Sequence, residues 1–215
     1  MKNNSLVPII RRIDTFNEYV SLAIFVANRK KKVSLFEKLA LWQAKIHIKA
    51  LAHKQPLPII VSQFFNAFSV YISYTKGVYF ETHIKTEQFE DLLIQTLPHL
   101  ESVARFPDEG FPCMTFIASD GEYEFKYELK LTSVSNKLIT EVNCLFESPD
   151  DIHWYGFQMS YTDNDGPIIT PSTDKNIVSI ADYMLRSVLF ETVDIMKKVV
   201  ISGSKPFKGK DDTNA

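Results

Sequence analysis

Glycine is scarce in this chain, which has only seven in 215 residues. Phosphate-binding loops and dinucleotide-binding turns depend on clustered glycines, because glycine lets the backbone approach a phosphate closely. The sequence has no Walker-type loop, no dinucleotide fingerprint, no nucleophile elbow and no paired metal-binding histidines on a helix. We therefore expect a protein that is not an enzyme and that holds no cofactor or metal ion.

Cysteine is nearly absent as well. Cys113 and Cys144 are the only two, and their separation matches neither a metal site nor a redox pair. We interpret both as small hydrophobic side chains of a protein in a reducing compartment. The polar N-terminus shows no signal-peptide pattern, so the expected location is the cytoplasm.

Charge is absent from residues 55–75, a stretch with the length of a membrane span. Pro58 and five polar side chains interrupt its apolar residues between positions 57 and 74, whereas a span needs about 20 predominantly apolar residues. We predict buried core here and no transmembrane span. After a short helix at residues 59–66, the alternation from Phe68 to Tyr74 predicts a strand, Lys76 and Gly77 a turn, and residues 78–85 a returning strand.

The charges that are present divide the chain lengthwise. Residues 1–60 contain 11 lysines and arginines but three acids, a net charge of +8, and the remaining 155 residues carry −10. This asymmetry predicts either an acidic partner for one end or contact between the two blocks.

Two capping boxes mark helix starts in the basic block. Thr15 with Glu18, and Ser34 with Glu37, can each satisfy free backbone N–H groups at the start of a helix. The short basic connection between these helices predicts an antiparallel helical hairpin. The apolar arc of the second helix is too wide for one surface face, so we expect this helix to be covered on two sides. The arc contains Leu35, Phe36, Leu39, Ala40, Trp42, Ala44, Ile46, Ile48 and Leu51.

The acidic block has the pattern of a sheet followed by a long helix. Thr86 is expected to cap a helix that continues to Leu100, with its apolar side chains facing the core and with a kink or break at Pro98. The two-residue turn Asp120–Gly121 predicts a hairpin of residues 114–119 and 122–132, and the second strand alternates between polar and apolar residues. Further strands are predicted at residues 138–146 and 154–161, and the final helix at residues 176–201.

These elements predict an α+β fold. We expect the N-terminal helical hairpin to pack with a mainly antiparallel sheet of about five to six strands and with the long C-terminal helix. The expected division is a basic hairpin at residues 1–55, an antiparallel core at residues 56–203 and a disordered tail at residues 204–215.

Two acidic clusters are candidate sites. Asp150, Asp151 and His153 could supply carboxylates and a base to an active site assembled from distant residues, although a polar turn between strands is the favoured interpretation. Residues 163–166 resemble part of a calcium loop, but the bidentate acid that such a loop requires is replaced by Ser172. We interpret this segment as a turn.

Absent catalytic motifs and wide apolar arcs together favour protein binding. We expect a non-enzymatic adaptor or chaperone-like subunit of a larger assembly, by analogy with small proteins that escort secretion substrates. Its partner is expected to be another protein or a second copy of the chain. The alternative is a nucleic-acid-binding accessory protein that uses the basic hairpin, and an anionic membrane surface is the least favoured partner. The residues predicted to bind a partner or an anion are Arg29, Lys30, Lys31, Lys32, Lys38, Lys45 and Lys49.

Overall fold

Two helices of the basic block begin directly after the predicted capping residues Thr15 and Ser34. In the computed structural model, both capping boxes form: the Thr15 hydroxyl accepts a hydrogen bond from the Glu18 N–H, and the Ser34 hydroxyl accepts one from the Glu37 N–H. The structure describes residues 6–29, 32–80, 86–103, 113–119, 121–134, 137–148, 151–162, 166–170 and 175–203. The helices in these ranges are α1 (Val7–Ile10), α2 (Phe16–Asn28), α3 (Leu35–Ala52), α4 (Leu57–Phe80), α5 (Thr86–Thr96) and α6 (Lys175–Ser202).

The strands form one antiparallel sheet in which each strand pairs with its neighbour in sequence. Four longer strands make up its centre, and a strand of four or five residues lies at each edge. The α+β class, the antiparallel sheet and the long C-terminal helix are thus confirmed. The strands are β1 (Leu100–Val103), β2 (Cys113–Ser119), β3 (Glu124–Val134), β4 (Lys137–Ser148), β5 (Asp151–Thr162) and β6 (Gly166–Thr170).

Helices cover one face of this sheet. Helices α4 and α6 contact the strands, and α2 packs on both of these helices from the outside. Helix α3 contacts α1 and α6, so the two helices that were expected to form a hairpin pack mainly on other neighbours. One hydrophobic core joins the helices to the inner face of the sheet, and its largest fully buried side chains include Tyr19, Phe64, Phe116 and Phe125.

Helix α4 corrects the strand that was predicted at residues 68–74 and the start of the returning strand at residues 78–80. Residues 81–85, the rest of that predicted strand, lie outside the described residues. A single helix of 24 residues passes through the predicted turn at Lys76 and Gly77. Phe68 and Tyr71 are both fully buried, although a period of two would place residues three apart on opposite faces. The apolar residues of this stretch fit a strand period of two in some places and the helical period in others. Because α4 packs between α2 and the sheet, the helix is favoured, since it buries a wide arc of apolar side chains.

The same helix has the length and composition of a membrane span. Residues Leu57–Val78 have a mean hydropathy of 1.2 in their most apolar window, and 56% of that window is buried. Because α2, α6 and strands β3, β4 and β5 all contact α4, its apolar side chains have partners within the chain. This arrangement agrees with the predicted buried core.

Two connections differ from their predictions. Helix α5 ends at Thr96, and Leu100, expected in that helix, begins β1 after His99 adopts a left-handed backbone with φ of 63°. Pro98 cannot donate the backbone hydrogen bond that a continued helix needs. The β2–β3 hairpin closes on the Ser119–Glu124 pair, so its loop has four residues instead of two. The tail at residues 204–215 lies outside the described residues.

Candidate protein-interaction surface on helix α3

Helix α3 buries one narrow face against the rest of the protein. Ala40, Leu41, Ala44 and Ile48 are each at most 6% exposed, and they recur at the three- and four-residue spacing that keeps side chains on one side of a helix. Small alanines on this face let α3 approach its neighbours closely. This face accounts for the part of the predicted arc that is in the core.

The opposite side of α3 exposes large apolar side chains. Leu35, Leu39, Trp42 and Ile46 are 78%, 52%, 58% and 50% exposed, and the adjacent Phe36 is 75% exposed. We call these five residues the α3 stripe. At 100° per residue, the centre of the stripe lies about 180° from the centre of the buried face. The expectation that α3 is covered on two sides is therefore wrong for the part of the chain that the structure describes.

A buried ion pair fixes the start of α3. The Arg29 guanidinium donates two hydrogen bonds to the Glu37 carboxylate, with N–O distances of 2.9 and 2.7 Å. The same carboxylate accepts hydrogen bonds from the backbone N–H groups of Ser34 and Leu6. Arg29 above all, and then these N–H groups, hold the pKa of Glu37 well below its ordinary range despite burial. The pair connects the end of α2 to the first turn of α3.

A second cluster of charges joins α3 to α6. Asp194 has a side chain that is only 6% exposed, and its carboxylate lies 2.9 Å from the Lys45 ammonium and 3.0 Å from that of Lys198. Burial alone raises the pKa of Asp194, but the hydrogen bonds from Lys45 and Lys198 outweigh it and leave the pKa below its ordinary value. Burial and then the charge of Asp194 raise the pKa of Tyr19 on α2. The basic and acidic blocks thus contact each other here.

Arg186 holds the far end of α3. Its guanidinium donates hydrogen bonds to the backbone carbonyls of Ala52 and Gln55, where α3 ends and the chain turns toward α4. Asp182, one turn earlier on α6, accepts two more hydrogen bonds and orients the guanidinium. With both ends and the middle of α3 attached, the α3 stripe is presented on a well-supported helix.

The residues predicted to bind a partner divide into three groups. Arg29 and Lys45 form the ion pairs described above. Lys32, Lys38 and Lys49 are exposed, and the Lys49 ammonium also lies 5.6 Å from the centre of the Phe190 ring. Lys30 and Lys31 lie outside the described residues. The prediction that these seven side chains bind a partner is not tested by their placement.

Sequence reasoning found the apolar residues of α3 and expected protein binding from the width of such arcs, but it expected this helix to be covered on two sides and did not identify which residues are exposed. The available signal was their spacing: Leu35, Leu39, Trp42 and Ile46 follow steps of four, three and four residues, as in a helix that packs lengthwise on another helix. Asp194 and Arg186 carried no such signal, because each contacts residues more than 130 positions away.

The other candidate sites gain no support. No group of three or more histidine, cysteine, aspartate or glutamate side chains within the described residues could hold a metal ion. Asp150 and residues 163–165 lie outside the described residues. Asp151 pairs with Ser148 in a hairpin, as the predicted polar turn requires.

Comparison with protein-family models, with curated proteins and with solved structures gives no match for this chain.

Proposed function

We propose that this protein is a non-enzymatic, cytoplasmic adaptor or chaperone-like subunit that binds another protein through the α3 stripe. The observation that supports the proposal is the row of five large apolar side chains, each at least half exposed, along one side of a helix. Single exposed apolar residues are common on protein surfaces, whereas a continuous row is typical of a site that a partner covers.

The composition of the α3 stripe suits a protein partner. Its members are leucine, phenylalanine, isoleucine and Trp42, and tryptophan is enriched among the residues that dominate binding energy at interfaces. Burying such side chains contributes about 25 cal/mol for each Å² of apolar surface removed from water. Because three sets of contacts hold α3 in place, little further ordering of the helix would oppose binding.

Nucleic-acid binding is the alternative function. Exposed Lys32, Lys38 and Lys49 favour it, since phosphate contacts need accessible cations. Arg29 and Lys45, in contrast, already contact carboxylates of the same chain. Three of the five side chains of the α3 stripe are aliphatic. Such a surface suits the apolar side chains of a protein partner better than the stacked bases of a nucleic acid.

The proposal is tested by replacing the centre of the α3 stripe. The double variant Leu39→Gln/Trp42→Gln removes two exposed apolar groups, and Leu145→Gln is the matched control because Leu145 is 44% exposed on the other face of the sheet. Fluorescence of a hydrophobic dye, light scattering and co-purification from the native source, followed by mass spectrometry, are compared for the three proteins.

We expect the wild type and Leu145→Gln to bind the dye and to retain the same partner. The double variant should lose most of both signals while its thermal unfolding stays within about 0.5 kcal/mol of the wild type, as for ordinary surface substitutions. A wild-type monomer that binds neither dye nor partner contradicts the proposal. Filter binding to nucleic acid, with affinity falling steeply as salt rises, would instead support the alternative.

A further inference from the structure

We infer that the segment that covers the α3 stripe is an acidic amphipathic helix of the partner protein, packed lengthwise along α3. This inference rests on the proposed function and adds the chemical class of the partner segment. Three features of α3 lead to it: the spacing of the α3 stripe, the sign of the exposed charges and their position on one side of the α3 stripe.

The spacing of the α3 stripe favours a helix as its occupant. Steps of four, three and four residues place Leu35, Leu39, Trp42 and Ile46 in the alternating apolar positions of a heptad pattern. Side chains at these positions line up along the helix axis and fit between those of a second helix. At 1.5 Å per residue, Leu35 to Ile46 extends over about 16 Å, which a partner helix of about three to four turns would cover.

The charges that α3 exposes all have the same sign. Glu37 is its only acidic residue, and this side chain is buried and paired with Arg29. Lys38 and Lys49 are exposed, and Lys45 is about one third exposed while it contacts Asp194. A partner helix that brings carboxylates to this surface would gain attraction along its length and would approach faster.

The position of the lysines specifies where the partner carries its acids. At 100° per residue, Lys38 and Lys49 lie on one side of the α3 stripe, the side on which Lys45 contacts Asp194. Gln43 and Ala50 on the other side carry no charge. An amphipathic helix with acids along one edge of its apolar face and neutral residues along the other matches this asymmetry.

A second copy of the chain matches it less well. If two α3 helices packed antiparallel through their stripes, the lysine side of one would face the lysine side of the other, which is destabilising. If they packed parallel, the lysines would face Gln43 and Ala50, and no carboxylate would meet them. The acidic partner helix is therefore the occupant that the charges favour.

Two synthetic peptide helices test this inference. Both peptides have leucine at the apolar heptad positions, and one has glutamate while the other has lysine at the flanking positions. Each carries a fluorescent label, and its anisotropy is measured as full-length protein is added at low salt. We expect the glutamate peptide to bind at least tenfold more tightly, and we expect the difference to shrink as salt rises because salt screens exposed charges.

Two charge-removing double variants identify the lysines responsible. Lys38→Gln/Lys49→Gln should bring the two peptides to within about threefold of each other while apolar binding persists. Lys126→Gln/Lys130→Gln changes the net charge by the same amount at half-buried lysines of β3 and should keep the preference. Leu39→Gln/Trp42→Gln should bind neither peptide.

The outcomes separate this inference from the proposed function. Equal binding of the two peptides, tighter binding of the lysine peptide or binding of neither overturns the acidic helix. If dye binding and partner retention still depend on Leu39 and Trp42 in that case, the proposed function stands. Light scattering that shows a dimer, dispersed by Leu39→Gln/Trp42→Gln, overturns the inference in favour of a second copy.

Discussion

The Lys45 ammonium lies 2.9 Å from a carboxylate oxygen of Asp194, and the two residues are 149 positions apart in the chain. This contact brings together the basic N-terminal block and the acidic C-terminal block. Lys197 and Lys198 lie near the same carboxylate from the next turn of α6. Asp194 is therefore a single buried anion that three cations share, and it attaches α3 to α6.

Removing the charge of Asp194 should destabilise the protein. In Asp194→Asn, Lys45 and Lys197 lose their shared carboxylate, and Lys197 has a side chain that is only 16% exposed. Loss of one partner of a buried ion pair costs about 3 kcal/mol, so we expect the free energy of unfolding to fall by about that amount. Urea denaturation followed by circular dichroism measures this free energy.

Lys198→Gln is the control, because the Lys198 ammonium is 59% exposed and its loss should lower the free energy of unfolding by less than about 1 kcal/mol. A wild-type midpoint for Asp194→Asn would contradict the structural role of this cluster.

The pair of Arg29 and Glu37 should make stability depend on pH. Its two hydrogen bonds lower the pKa of Glu37 in the folded state below the ordinary value of 4.5. The unfolded chain therefore takes up a proton first, and the stabilisation is fully present above pH 4.5 and is lost as the pH falls toward the folded pKa. We expect Glu37→Gln to unfold about 3 kcal/mol more easily than the wild type at pH 7. Below pH 4.5 the difference should shrink.

Urea denaturation at a series of pH values between 3 and 7 measures this difference. Glu124→Gln is the control, since Glu124 is exposed on β3. A difference between wild type and Glu37→Gln that stays constant from pH 7 to pH 3 would show that the charge of Glu37 is not what stabilises the helix start.

An alanine substitution at Gly77 distinguishes helix α4 from the turn that the sequence suggested, and Gly121, which has a left-handed backbone, provides the contrasting case. Gly77 lies within α4, and a β-carbon added there would meet no atom within 4 Å. Gly77→Ala should raise the free energy of unfolding by about 0.5 kcal/mol, because alanine favours a helix and restricts the unfolded chain. Gly121, with φ of 94°, has a backbone that alanine rarely adopts, so Gly121→Ala should lower stability by about 1 kcal/mol. Thermal unfolding of both variants gives the signs, and destabilisation by Gly77→Ala would favour the turn.

The two cysteines should differ in reactivity. Burial raises the pKa of Cys144 to about 12, and this residue lies on the inner face of the sheet. Cys113 is half buried, and burial and then the Glu128 carboxylate raise its pKa as well. Because the thiolate is the reactive form, iodoacetamide at pH 8 should modify Cys113 slowly and Cys144 only after unfolding. Mass spectrometry should detect one adduct on the folded protein and two in urea; simultaneous modification of both would contradict the buried position of Cys144.

Features that depend on neighbouring residues were predictable from the sequence. The capping hydroxyls and carboxylates at Thr15 and Ser34 form their hydrogen bonds within three residues, so no distant part of the chain is needed. Strand β3 alternates between polar and apolar residues from Glu124 to Leu131, and this alternation matches a sheet with one buried face. Helix α4 was not predictable in the same way. Its apolar residues satisfy two periods in part, and burial of Tyr71 decides between them.

The sequence by itself determined the α+β class, the starts of α2 and α3 and the division of charge, because each is a matter of composition or of short-range spacing. Only the tertiary structure decided that Lys45 contacts Asp194 and that Arg186 holds the end of α3. It also decided that the α3 stripe is exposed, since the sequence does not show which part of the chain, if any, packs against a given apolar side chain. Burial and ion pairing between distant residues depend on how the elements pack, and within the described part of the chain that packing leaves one side of α3 exposed.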